Sequence, residues 1–437
     1  MKEKIRITAL LLAVVLGMIA CDVKKEPYIE GEDQKKEMLR FDVGDVKGVI
    51  DEASKTVTLK FKDSIDFSHL VPTIEVSRYA TVEPESGVAQ DFTLPVCYTV
   101  TAFDGSTAKY MVTATVLDGV DEKQIVSFET ESPQCIGFIH EMTKTVVLIV
   151  PENTDVTHLA PTIEVSDGAT VEPASGVAQD FTNPVEYTVT AMNGTTVVYT
   201  VTASKPTGKT VLLNDYTGVR CVNCPAASEL AHNLLEQYGS RLAVMSIHAG
   251  SLAAPPTGSS FPDFRTEEGT EWYGNNASNP LGSVDRVKLL QGYTLQDNSW
   301  ADAVATAMEE TQTVEIVVDN FYDEASRMLT TTIDAQALGS LSGDLAVTVC
   351  LMEDNIVGMQ VTTSGLQNDY VHRHVFRGTL NGTYGENIQF NGDNQFSKSF
   401  YKEIPDNFDA SNCYIVAYIY DNSQNMKILQ TAVKKMK

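Results

Sequence analysis

Apolar and polar residues alternate along Tyr98-Thr99-Val100-Thr101-Ala102, the two-residue period of a strand with one buried face. Strands are also predicted at Thr56–Phe61 and Thr145–Val150. These belong to two copies of one pattern. PTIEVSRYATVEPESGVAQDF begins at Pro72 and PTIEVSDGATVEPASGVAQDF at Pro161, 89 residues later, and the match continues through PVCYTVTAFDGSTAKYMVTATV and PVEYTVTAMNGTTVVYTVTASK. A period this long denotes whole domains in tandem rather than a solenoid unit. Asp104-Gly105 and Asn193-Gly194 each sit between two alternating runs, which predicts type I′ hairpin turns because those residues tolerate positive φ. Both copies, 41–118 and 123–206, read as immunoglobulin-like sandwiches. They resemble the β modules that recur in surface lipoproteins of the Bacteroidota, where such modules act as spacers.

The period changes after Lys205-Pro206-Thr207-Gly208. Val211-Leu212-Leu213 is a continuous apolar run suited to a buried parallel strand. Beyond Cys221-Val222-Asn223-Cys224-Pro225, apolar residues at Ala227, Leu230, Ala231, Leu234 and Tyr238 recur three and four apart, predicting a helix that ends at Gly239. A second apolar strand follows at Leu242–Ile247. This is a βαβ unit with CxxC at its strand-to-helix turn, the setting in which CxxC reads as a redox motif. Zinc would need two further ligands, and no second CxxC or CxxH pair exists in the sequence, so neither metal nor any other cofactor is expected. From Ser299-Trp300-Ala301-Asp302, a capping box is predicted to open a helix running to about Thr311. Strands return at Glu315–Val318, Met328–Ile333, Leu345–Leu351 and Tyr414–Tyr420, a pattern read as a C-terminal β-sandwich over 313–437. The expected fold is therefore multidomain and β-rich, with an α/β unit over 208–312 that carries an insertion at 248–278.

The chain opens differently. MKEKIR is basic, Ile7 to Ala20 is apolar but shorter than a membrane span, and Cys21 follows a small residue. Residues 1–20 read as a lipoprotein signal peptide and Cys21 as the lipid-bearing first residue, with acyl chains on Cys21 the membrane partner. Residues 21–40 are rich in charge and read as a disordered tether. The formal net charge of −26 repels nucleic acid, which is excluded as a partner.

Cysteine chemistry supplies the candidate site. A helix N-terminus stabilises a thiolate, so Cys221 is expected to attack, and Cys224, on the buried stripe of Ala227 and Ala231, to resolve. The inert alternative, a structural disulfide on a passive scaffold, stays open. LLNDYTGVRCVNCPAASELAHNLLEQYG resembles the core of the Bacteroidota outer membrane protein 28 family, which joins a thioredoxin-like domain to a C-terminal β domain; the resemblance runs from about Lys209 to the C-terminus. It implies that Asp215 is a buried carboxylate assisting Cys224, and that Asn279-Pro280 carries a cis peptide beside which a substrate chain would bind. Arg220 stands where thioredoxins have Trp. His248 is a candidate to tune the thiolate, although a non-catalytic loop role is expected. The insertion is expected to cover the CxxC edge. Cys350 and Cys413 are left as a disulfide or two buried thiols, Cys97 as a free thiol, and His372-Arg373-His374 as a structural motif rather than half a metal site. Two functions follow: thiol–disulfide exchange or sensing, with protein thiols as partners, or non-catalytic binding of another surface protein.

Overall fold

The computed structural model describes residues 34–61, 65–116, 121–259, 261–276, 278–286 and 294–437. The expected signal peptide, Cys21 and residues 21–33 of the expected tether lie outside them, while Met38–Arg40, expected to be disordered, are the start of a strand with Met38 buried.

The repeats have the same topology, as their sequences require. In the first, β1 (Met38–Val43), β2 (Val46–Lys47) and β5 (Pro72–Val76) form one sheet, while β3 (Val49–Asp51), β4 (Thr56–Phe61), β6 (Thr81–Glu83), β7 (Val96–Thr101) and β8 (Thr107–Val116) form the other. The second repeats this with β9 (Ile125–Glu131), β10 (Gln134–Ile136) and β13 (Pro161–Val165) against β11 (Phe138–His140), β12 (Thr145–Ile149), β14 (Thr170–Glu172), β15 (Val185–Thr190) and β16 (Thr196–Ser204). In both, the larger sheet contains one parallel pair, β4 with β8 and β12 with β16. The cores match too: Phe41 meets Tyr98 edge-on at 5.0 Å, and Phe128 meets Tyr187 at 5.3 Å. The hairpin turns are not type I′. Asp104 and Asn193 keep negative φ, and only Gly105 and Gly194 turn positive. Each Asx side chain instead accepts bonds from the backbone and hydroxyl two residues on, Ser106 or Thr195, which lengthens the connection.

The remainder is organised by a single sheet. β17 (Val211–Thr217) and β18 (Leu242–His248) pair in parallel around helix α1 (Cys224–Tyr238), giving the expected βαβ unit. After α2 (Glu267–Tyr273), β19 (Leu281–Val284) adds antiparallel to the free side of β17. Helix α3 (Trp300–Met308) follows; the expected capping box is not made, since Ser299 makes no side-chain cap and its hydroxyl bonds Asn298 instead. The C-terminal strands are β20 (Val314–Asp323), β21 (Met328–Ala337), β22 (Leu345–Glu353), β23 (Ile356–Thr362), β24 (Gly365–His372), β25 (Val375–Thr379), β26 (Glu386–Asn387), β27 (Gln395–Glu403), β28 (Cys413–Asp421) and β29 (Lys427–Lys435).

The sheet crosses the boundary expected at 312/313. Its order is β19-β17-β18-β25-β22-β28-β29, with β18 and β25 joined in parallel at Ser246 and Val375. The α/β unit and the C-terminal sandwich thus share one sheet. On one face Val211, Leu213 and Val244 pack under α1 and α3. Further along, Val347, Val349 and Ile415 pack against the three-stranded sheet β20-β21-β27. The opposite face, with Leu212, Met245, Cys350 and Tyr418, is covered by Tyr273 of α2. No described helix is long and apolar enough to cross a membrane.

Candidate functional site

Side-chain direction along a strand alternates, so the core contacts fix which residues face α1. Val211 and Leu213 lie beneath the helix, and Asp215 and Thr217 continue that row on β17. Val244 does the same on β18, followed by Ser246 and His248. The row therefore ends at the turn where α1 begins. There Cys221 and Cys224 are disulfide-bonded, their Cα atoms 5.4 Å apart.

Helix α1 starts at Cys224 with Asn223 as its cap, so Cys221 lies in the preceding turn rather than on the helix. Its N–H donates to Gly218 O at 2.9 Å. Cys224 is 1% exposed, as expected, and Cys221 is 2% exposed, so both sulfurs of the pair are buried. The β23–β24 hairpin and the insertion both reach this turn. The Gln360 amide donates to Cys221 O at 3.0 Å and Gly218 O at 3.3 Å, and Val361 N–H donates to Val219 O at 2.8 Å. Val219 packs with Met359, Phe264 and Val375. The insertion adds Leu252, whose carbonyl accepts from Arg220 N–H. Gln360 carries no sequence signal that marks it; it reaches the CxxC turn from 139 residues away.

Asp215 is fully buried, and burial pushes its carboxyl up to about 7. Its strand neighbour in register is Ser246. His248 is also buried, and loss of solvent holds its imidazole well below the usual range, with the charges of His372 and Arg377 adding to the effect. Neither ring nitrogen has a protein hydrogen-bond partner. His372 lies 5.5 Å away between ring centroids, with Phe264 4.9 Å from both. Burial depresses His372 to about 4. Thr217, Cys224, Ser246, His248, Gln360 and Tyr370 line a small space of about 10 Å³, room for about one water molecule. The strand register thus brings His248 to the CxxC, where sequence could name it only as a candidate.

Asn279 and Pro280 are joined by a cis peptide. The Asn279 amide donates to Thr217 O at 3.0 Å and Ala249 O at 2.8 Å, tying together the ends of β17 and β18 on the CxxC side. Beyond Pro280, the outer edge of β19 is bridged by Leu295, which pairs with Gly282 in both directions.

The other cysteines stay apart. β22 and β28 are neighbours, but the register sets Cys413 opposite Glu353 and Cys350 opposite Val416. The two cysteines lie on opposite faces of the sheet, in different cores, and both are free thiols. Cys97 is free and half-buried. His372 and His374 do not converge: the first bonds Met359 O at 3.1 Å and the second Tyr414 Oη at 2.9 Å. Among the described residues no group of three metal-ligating side chains is present. A cleft of about 940 Å³ lies between the second repeat and the C-terminal region, lined by Gln134, Gln312, Gln336 and Gln395 among others and by none of the CxxC residues.

Residues 270–437 match the model of the outer membrane protein Omp28 family. Residues 38–114 and 125–203 each match the model described as SGBP, N-terminal. No curated protein matches the chain. Among solved structures, HBP35 of Porphyromonas gingivalis is 16% identical with a TM-score of 0.43, covering 52% of this chain and 76% of that one. A domain of the outer membrane lipoprotein Omp28 from Porphyromonas gingivalis is 23% identical with a TM-score of 0.22, covering 29% of this chain and 88% of that one. An Agrobacterium tumefaciens protein is 11% identical with a TM-score of 0.34, covering 53% and 96%.

Proposed function

We propose that this chain, whose residues 270–437 belong to the Omp28 family of outer membrane proteins and whose two repeats are SGBP N-terminal modules, is a thiol–disulfide exchange lipoprotein. Those families place it at the outer membrane among surface proteins. The exchange chemistry rests on one observation: the fully buried Asp215, its carboxyl pushed up to about 7 by burial, lies in the strand row that ends at the Cys221–Cys224 disulfide. A structural clasp needs no such group, whereas a buried leaving thiolate needs a nearby proton donor.

In the oxidised protein a client thiolate attacks Cys221 Sγ. The S–S bond breaks, its electron pair leaves on Cys224, and that sulfur takes a proton from the Asp215 carboxyl. A second client thiolate then attacks the client sulfur of the mixed disulfide and releases Cys221. The client dithiol is oxidised to a disulfide and the CxxC pair is reduced; the reverse sequence reduces a client disulfide. The β modules would act as spacers, and lipid on Cys21 as the anchor.

The second reading, a non-catalytic surface binding protein with a thioredoxin-type scaffold, is favoured by the burial of Cys221. The two separate experimentally. With Cys224→Ser, Cys221 lacks its resolving partner and should accumulate mixed disulfides with client proteins, while Cys221→Ser should accumulate far fewer. The Cys221–Cys224 couple should titrate above about −300 mV, below which structural disulfides resist reduction. A couple well below that value, with no trapped species, would leave the binding-protein reading standing.

A further inference from the structure

The backbone at Cys221 is contacted by a part of the molecule that is not hydrogen-bonded into the main sheet. The β23–β24 hairpin forms a two-stranded sheet of its own, joined to no other strand. Isolated two-stranded hairpins are marginal in water. Its outer surface is apolar and exposed, with Val357 61% and Leu366 59% accessible. Its inner side contributes Met359, Gln360 and His372, all buried. The ladder is interrupted between Gly358 and Gln360, a bulge of the kind that re-aims side chains beside functional sites. Three hydrogen bonds reach from this hairpin to the CxxC turn: two from the Gln360 amide and one from the Val361 N–H to Val219 O.

The last of these has a particular form. Val361 is paired across the hairpin with Leu366, yet its N–H points away from the hairpin to the backbone immediately before the CxxC. An extended segment of the chain thus lies along the CxxC turn and makes a main-chain bond to it. We infer that the β23–β24 hairpin is an autoinhibitory strap that occupies the client position over Cys221 and must swing out before the disulfide can exchange. This rests on the thiol–disulfide reading of the same site. The ladder is not hydrogen-bonded into the main sheet, so the hairpin can open without breaking that sheet, a local opening of the kind native proteins undergo. The enclosed His248, His372 and Tyr370 would become wet on opening, so the open state differs from the closed one in both access and polarity.

The test follows the reduction of the Cys221–Cys224 disulfide by dithiothreitol in the full chain. One dithiothreitol is oxidised to its cyclic disulfide for each pair reduced. Gln360→Ala removes two bonds to the turn, and Val361→Pro removes the N–H to Val219 while leaving the hairpin's own ladder intact, because that N–H is not part of it. Each variant should be reduced about threefold to tenfold faster than wild type, the change expected for losing one or two net hydrogen bonds. Reduction at the wild-type rate in both folded variants would overturn the strap. A second measurement needs no variant: in the wild-type protein, hydrogen exchange at the Val361 amide reports hairpin opening. Opening at least as fast as reduction supports the strap, and reduction outpacing exchange of that amide overturns it. The reduction potential is independent of both results. A couple as hard to reduce as that of a structural disulfide would remove the exchange function even if the hairpin gates access.

Discussion

The imidazole of His140, in the second repeat, is hydrogen-bonded through Nε2 to the carboxylate of Asp334 on β21, and both side chains are buried. Asp319 lies 3.9 Å from the other ring nitrogen and accepts from Thr143 at 2.7 Å. His140 thus joins the second repeat to the C-terminal sandwich, alongside the Thr143 bond and the Gln395 amide, which donates to Ile136 O at 2.8 Å. The equivalent residue of the first repeat, 89 positions earlier, is the exposed Asp51, which cannot make this contact.

Docking should depend on pH. Burial alone would lower the His140 pKa, but the hydrogen bond to Asp334 and the charges of Asp334 and Asp319 outweigh it and raise it above 6.5. A raised folded-state value means the stabilisation is fully present below about pH 6.5 and is lost as pH rises through the folded value. His140→Gln should cost on the order of 1–3 kcal/mol at pH 6 and less at pH 9. Thermal unfolding of the two proteins at both pH values gives the comparison; equal losses would show that charge plays no part.

Asp215 predicts the same sign from a different group. Its carboxyl is pushed up to about 7 from the ordinary carboxylate value by burial. The protonated form is the one the fold favours, so its contribution is present in acid and lost as pH climbs toward 7. Asp215→Asn should stabilise the protein at pH 8 by on the order of 2–4 kcal/mol relative to pH 4, read from denaturant midpoints. It should also slow dithiothreitol reduction near pH 7, where the wild-type carboxyl can still give a proton. Unchanged kinetics would assign Asp215 to packing alone.

Gly282 leaves no room for a side chain. A Cβ there would collide with the buried indole of Trp300. Gly282→Ala should cost about 1–3 kcal/mol by forcing α3 away from β19. The melting temperature measures it, and an unaltered value would mean that α3 shifts without resistance.

Lipidation can be tested at Cys21, which lies outside the described residues. Cys21→Ala should move the protein from washed membranes to the soluble fraction, because acyl chains would be its anchor. Retention in the membrane fraction would remove the lipoprotein assignment.

Sequence patterns carried some of this architecture and not the rest. The repeats were legible because two near-identical segments force the same sandwich twice. The βαβ unit was legible because two continuous apolar runs flank a stretch, Ala227 to Tyr238, whose apolar residues recur three and four apart. What escaped was nonlocal. The pairing of Ser246 with Val375 joins strands 129 residues apart in sequence and leaves no trace in either segment. Gln360 is an unremarked glutamine in an alternating strand until the fold sets it against Cys221. The Asp104-Gly105 pair signalled a hairpin correctly, but the Ser106 contacts that fixed its turn type depend on a side-chain geometry that composition does not encode.

The parallel join of β18 to β25 also governs how this protein can be divided. Cutting the chain near residue 312 would strip β25 from β18 and leave a strand of seven buried residues with an open flank. Such an edge is a template for adding any other extended chain. The excised CxxC half would thus be prone to self-association through the flank that β25 normally meets at Ser246, and the remaining C-terminal half would bear the matching exposed margin. Nature's version of the cysteine pair is inseparable from the strands that follow it, so gene fusions, truncations or transplants of this region should move as 208–437 or not at all.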